Sequence, residues 1–129
     1  MIWVYPFGMQ ALVVDDDPVC RAVAVATLAK LGFAVHAAAD VTEACARQAA
    51  LSDLRLALVD WHLGDINGLD VIRALRLRAN THRTCICLFT VETGREVWNE
   101  AIAAGANAVL RKPLDEGDLW YELTRLGAV

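Results

Sequence analysis

Four stretches of this chain run the same course: a short apolar segment ends on side chains that can do chemistry. Ala11-Leu12-Val13-Val14 ends at Asp15-Asp16-Asp17, Leu56-Ala57-Leu58-Val59 at Asp60, the 84–89 segment at Thr90, and Ala108-Val109-Leu110 at Arg111-Lys112-Pro113. If these ends share one edge of a sheet, carboxylates, a hydroxyl and an ammonium meet there, and these are the parts from which phosphoryl transfer is assembled. Carboxylates crowded together repel one another, which a protonated member or a bound cation relieves. All-oxygen ligands favour a hard ion. Mg²⁺ suits such a site because it keeps several waters and takes one or two carboxylates plus phosphoryl oxygens, where a closed Ca²⁺ cage wants more ligands. A carboxylate so placed attacks phosphorus and becomes an aspartyl phosphate.

That chemistry needs elements that bring the four ends together. The 11–14, 56–59, 84–89 and 108–110 runs are too apolar to face water and read as buried strands, with a further strand over 33–36. Between them lie helical patterns. Asp17 can N-cap a first helix with Pro18 at its first position, and Gly32 stops it after Leu31. A second helix spans 41–50, with Asp40 or Thr42 as its cap and Glu43 in its first turn. The loop from Gly64 to Gly68 leads into a third over about 69–78, with Leu69, Ile72 and Leu75 on one face and Arg73, Arg76 and Arg78 available to the other. A fourth runs over 95–104 up to Gly105, and a last one over 116–126. Five strand–helix pairs call for a parallel sheet covered on both faces, whose ligands bind at the carboxyl ends of the strands.

At 129 residues and 57% hydrophobic content the chain fits a single domain with a full core. Residues 1–9 are set apart as an N-terminal tail or extra segment before a domain at 10–129. Trp3, Tyr5 and Phe7 alternate there like a strand face, while Pro6 argues against a central strand. A net charge of −4 favours a cation or a basic partner surface over direct nucleic-acid binding. No apolar run approaches the ~18 residues of a membrane span, and the first residues lack a signal peptide's basic start, so a cytoplasmic location and no membrane partner are expected. Cys20, Cys45, Cys85 and Cys87 are irregularly spaced and read as small core residues rather than ligands.

The ordered set Val13-Val14-Asp15-Asp16, Val59-Asp60-Trp61 with Gly68 beyond it, Phe89-Thr90 and Lys112-Pro113 resembles the receiver domain of bacterial two-component response regulators, over roughly residues 10–126. The resemblance implies a flavodoxin-like (βα)5 fold, an α/β sandwich on a five-stranded parallel sheet of order 2-1-3-4-5. It implies that Asp60 is the phosphoacceptor, taking its group from a sensor histidine kinase or a histidine phosphotransfer protein. Asp15 and Asp16 then bind Mg²⁺ together with Asp60 and the backbone carbonyl of His62. Thr90 is the hydroxyl that moves to the phosphoryl group, and Lys112 is its ion-pairing lysine. Pro113 matches a proline preceded by a cis peptide bond that aims Lys112 into the site. Such a domain catalyses its own phosphorylation and dephosphorylation, turns over no external substrate, and signals by a shift between two conformations. The chain ends at Val129 with no output domain expected, and a second copy of the chain is a further candidate partner.

Some positions depart from the family pattern. Val91 stands where a small residue usually follows the threonine and is expected to narrow the approach to Asp60. Val109 replaces the switch aromatic of the last strand, and Gly64 and Asn67 replace a proline and an aspartate of the acceptor loop, which is expected to be more mobile. His62 and Glu92 match positions along the path of hydrolytic water and are expected to set phosphoryl lifetime. The first helix is apolar nearly all round, with Arg21 and Thr27 its only polar side chains over 19–29, so a docking surface for a helical kinase or phosphotransfer partner competes there with a plain alanine face. Trp98 is a candidate for the output face. Two other functions compete: a haloacid dehalogenase-type phosphatase with Asp15 of the Asp15-Asp16-Asp17 run as nucleophile, and a receiver-like interaction module that is never phosphorylated.

Overall fold

The apolar runs become parallel strands because only a strand covered on both faces can be apolar at every position. The computed structural model describes residues 8–78, 81, 83–92 and 94–127. Within them the elements follow the order β1 (Gln10–Val14), α1 (Pro18–Lys30), β2 (Ala34–Ala38), α2 (Val41–Ala50), β3 (Leu54–Asp60), β4 (His62–Leu63), β5 (Ile66–Asn67), α3 (Gly68–Arg76), β6 (Cys85–Thr90), α4 (Arg95–Ala104), β7 (Ala108–Arg111) and α5 (Glu116–Arg125). The main sheet is ordered β2-β1-β3-β6-β7 and every pairing in it is parallel. With the small β4-β5 hairpin set aside this is the order 2-1-3-4-5 of a flavodoxin-like fold, as expected.

Alternate residues of each strand feed two cores. Leu12, Val14, Ala57 and Val59 face α2, α3 and α4, where they meet Ala44, Ile72, Leu75 and Ala101. Ala11, Val13, Leu56 and Leu58 face α1 and α5, where they meet Ala24, Leu28, Leu119 and Leu123. Helix ends follow their caps: the carboxylates of Asp17, Asp40 and Asp115 and the side-chain oxygen of Asn67 accept backbone N–H groups at the starts of α1, α2, α5 and α3. Asn67, read as a departure from the resembled pattern, thus caps α3.

Several boundaries differ from the sequence reading. β3 and β6 each run one residue further, to Asp60 and Thr90, because the ladder continues through Asp60↔Phe89 and Thr90↔Arg111. β2 lies at Ala34–Ala38 rather than 33–36, in register with β1. The segment read as an open loop is an antiparallel hairpin pairing His62 with Asn67 and Leu63 with Ile66, and Gly64 turns it at φ 64°, where a glycine meets no steric penalty. Arg76, assigned to the polar face of α3, is half-buried. Its guanidinium donates to Gly105 O (2.7 Å), Thr81 O (2.5 Å) and Asn107 Oδ1 (2.5 Å), tying α3 to the turn before β7. Of the proposed tail, residues 1–7 lie outside the described residues; Gly8 donates to Gly32 O, and Met9 O accepts from Ala34 N, next to β2. No helix among the described residues is long and apolar enough to cross a membrane.

Candidate functional site

Parallel pairing brings the carboxyl ends of β1, β3, β6 and β7 to one edge of the sheet, and the four polar stretches converge there. Carboxylate oxygens of Asp15, Asp16 and Asp60 all lie within 4.8 Å of one another. Lys112 Nζ sits 3.2 Å from Asp15 Oδ2 and 3.3 Å from Asp60 Oδ2, one ammonium for two of the three acids. Its place is set by its own N–H, which donates to Thr90 O at 2.9 Å, and by its packing over the Phe89 ring, 5.3 Å from the centroid. The Lys112–Pro113 peptide bond is cis.

The two inner acids differ. Asp15 is boxed in: Oδ1 accepts from Asp17 N at 2.9 Å, Oδ2 from Lys112, and only 1% of its side chain is exposed. Its carbonyl is held by Arg21 Nη1 at 2.8 Å. The Asp60 side chain is 11% exposed and, besides Lys112, meets only a long contact from His62 N at 3.5 Å among the described residues. Burial pushes the Asp60 carboxyl up from its ordinary range and the Asp15 charge adds to this, with Lys112 pulling back. Burial lowers the Lys112 ammonium, but its two carboxylate partners outweigh that and raise it overall. Asp16 is exposed at the rim.

Gly68 is fitted to the acceptor strand. A Cβ there would lie 1.9 Å from the Asp60 carbonyl oxygen and 2.9 Å from Trp61 Cα, and Gly68 N donates to Trp61 O at 2.6 Å. Any side chain at 68 must displace the backbone that carries Asp60.

Thr90 is buried, and its Oγ1 accepts from Glu92 N at 3.1 Å. His62 stacks on Trp61, with ring centroids 5.7 Å apart and planes 9° from parallel, and its Nε2 lies 2.9 Å from Glu92 Oε1. The contact between His62 and Glu92 was not anticipated; the only hint was that each lies two residues beyond a residue of the constellation. Val91 is exposed and lines an apolar groove of about 320 Å³ with Val19, Cys20, Val23, Phe89 and Leu114, next to Lys112. Helix α1 supplies one wall, and Val19 and Val23 are 70% and 55% exposed. Val109 is half-buried against the core and Trp98 partly exposed on α4. A larger cavity of about 600 Å³, lined by Gln48, Leu54, Arg78 and Thr84, lies at the amino ends of β3 and β6 and holds none of the constellation.

An all-oxygen donor set with three acids and one lysine is chemically fit for a hard divalent cation. The model of the response regulator receiver domain matches residues 11–124. The chain is similar to the chemotaxis protein CheY1 of Helicobacter pylori, 32% identical over 106 residues that cover 81% of this chain and 86% of the relative. Among solved structures it is similar to chemotaxis protein CheY4 of Vibrio cholerae, with a TM-score of 0.83 at 30% identity over 92% of this chain and 98% of the other. It is also similar to a Burkholderia pseudomallei response regulator solved with a phosphorylated aspartic acid and a calcium ion, with a TM-score of 0.78 at 26% identity over 93% of this chain and 71% of the other. With nearly all of the described sheet and helices inside the match, this chain belongs to the response regulator receiver domain family, a family of signalling modules.

Proposed function

We propose that this receiver is phosphorylated on Asp60 in a two-component phosphorelay, using Mg²⁺ held by Asp15, Asp16, Asp60 and the His62 carbonyl. The observation that carries the reading is the convergence of Asp15, Asp16 and Asp60 on Lys112 at the carboxyl edge of the sheet. An Asp60 oxygen attacks phosphorus, the bond from phosphorus to the donor's imidazole nitrogen breaks, and the electron pair leaves with the imidazole. Bound at the acidic cluster, Mg²⁺ would neutralise charge on the phosphoryl oxygens. Lys112 leaves its contact with Asp60 to pair with a phosphoryl oxygen while Asp15 keeps it oriented. The Thr90 hydroxyl donates to another, and His62 and Glu92 at the rim influence how long the group survives.

The accessibility of Asp60 supports it as nucleophile over Asp15, whose two oxygens are both engaged. That weighs against the phosphatase alternative, and the phosphorylated aspartic acid in the Burkholderia relative supports phosphorylation on an aspartate. The receiver spans 10–129 on this reading, with 1–9 as a preceding segment; the start of β1 at Gln10 supports that division. A histidine kinase or phosphotransfer protein is the donor, and the apolar groove beside Lys112 gives a helical partner a surface to cover. Intact-mass measurement after incubation with acetyl phosphate and Mg²⁺ tests the proposal. One phosphoryl group is expected on the native chain and none on Asp60→Asn; equal labelling of both would overturn it.

A further inference from the structure

Glu92 is fastened at two points. Its carboxylate meets His62 Nε2 at 2.9 Å, linking the loop after β6 to the hairpin after β3. Its backbone N–H donates to Thr90 Oγ1 at 3.1 Å. The exposed His62 ring stacks on Trp61, and Trp61 is partly buried against the core, which gives the ring one packed face. The fastening therefore runs from the core through Trp61, His62 and Glu92 to the hydroxyl of Thr90.

The Thr90 hydroxyl oxygen is turned to Glu92, whose backbone N–H it accepts. On the reading that Thr90 moves to the phosphoryl group, its side chain passes between discrete staggered wells rather than drifting. The step carries the acceptor away from Glu92 N. Resting on the proposed phosphorylation of Asp60, we infer that Glu92 is a positioning residue: strapped to His62, it holds Thr90 in the resting orientation, and the strap must yield before Thr90 can engage a phosphoryl group. The strap opposes occupancy of the site through Thr90, not through contact with the phosphoryl group.

Beryllofluoride is the probe, since with Mg²⁺ it occupies an aspartyl-phosphate site at equilibrium without chemistry. Its dissociation constant is measured for the native chain, His62→Ala, Glu92→Ala and the double variant. Substituting His62 leaves its backbone carbonyl in place. The through-space effect of removing the Glu92 charge appears both with and without His62, so the cycle cancels it and leaves the coupling. Each single variant is expected to bind beryllofluoride about two- to fivefold more tightly, the range of an exposed polar contact, and the double variant no more tightly than the better single. In a Thr90→Val background, His62→Ala is expected to change nothing. Additive effects, unchanged affinity in the single variants, or the same tightening with Val at 90 would overturn the strap while leaving the phosphoacceptor reading intact. Beryllofluoride binding that survives Asp60→Asn, or none to the native chain, would overturn both.

Discussion

Asp60 sits in a conflict that its neighbours only partly resolve. Desolvation and the Asp15 charge hold its carboxyl above the ordinary range, with Lys112 working in the opposite direction. A folded carboxyl that keeps its proton more tightly than the unfolded chain lends stability below the unfolded value, and that stability is lost as pH rises through the folded one. At neutral pH the ionised Asp60 is therefore a net burden on the metal-free fold. Asp60→Asn, which mimics the neutral form and leaves Lys112 its Asp15 partner, is expected to raise the metal-free melting temperature at pH 7 by roughly 2–5 °C. The gain should shrink as pH falls into the range where Asp60 is itself protonated, and Mg²⁺ should stabilise the native chain more than the variant. Calorimetry showing an unchanged or lower melting temperature for the variant at pH 7 would refute this balance. Residues at the ends of apolar runs were legible from the chain because burial and strand ends leave a pattern. The pairing of His62 with Glu92 was not, since it spans thirty residues and depends on two turn conformations. Nor was the fit of Gly68, whose need for the missing Cβ appears only when Asp60 O is placed beside it.

Among the elements, α1 stands out because its sequence is apolar beyond what the core takes. Only Ala24 and Leu28 of the helix are buried, while Val19 and Val23 stay exposed along the groove that reaches Lys112. A helix that leaves β-branched apolar side chains in water beside a reactive cleft fits a surface covered by a partner during transfer. Val23→Glu, on the outer wall of that groove, is expected to slow phosphotransfer from a phosphorylated histidine phosphotransfer protein about tenfold while leaving labelling by acetyl phosphate unchanged. Equal loss with both donors would mean that the substitution damages the site rather than the docking surface. The apolar excess of α1 could be read from its composition, but its exposure could not, because periodicity does not say how wide a stripe the sheet will cover. The same limit misplaced Arg76: its position on α3 fits a solvent face, yet carbonyls from two following turns close around it. The hairpin after β3 escaped notice because two-residue strands carry no period to detect.

For the whole molecule, the alternation of fully apolar runs with capped helices was enough to specify a doubly covered parallel sheet, and a parallel sheet obliges the four polar ends to meet. That is why the architecture and the carboxylate–lysine cluster were both legible, whereas contacts made between loops were not. The central claim is that this convergence makes Asp60 a phosphoacceptor. The most direct measurement is borohydride reduction of the chain after treatment with acetyl phosphate and Mg²⁺, which converts an aspartyl phosphate to homoserine, followed by peptide sequencing in the mass spectrometer. Homoserine is expected at position 60 alone; homoserine at position 15, or at neither position, would contradict the account.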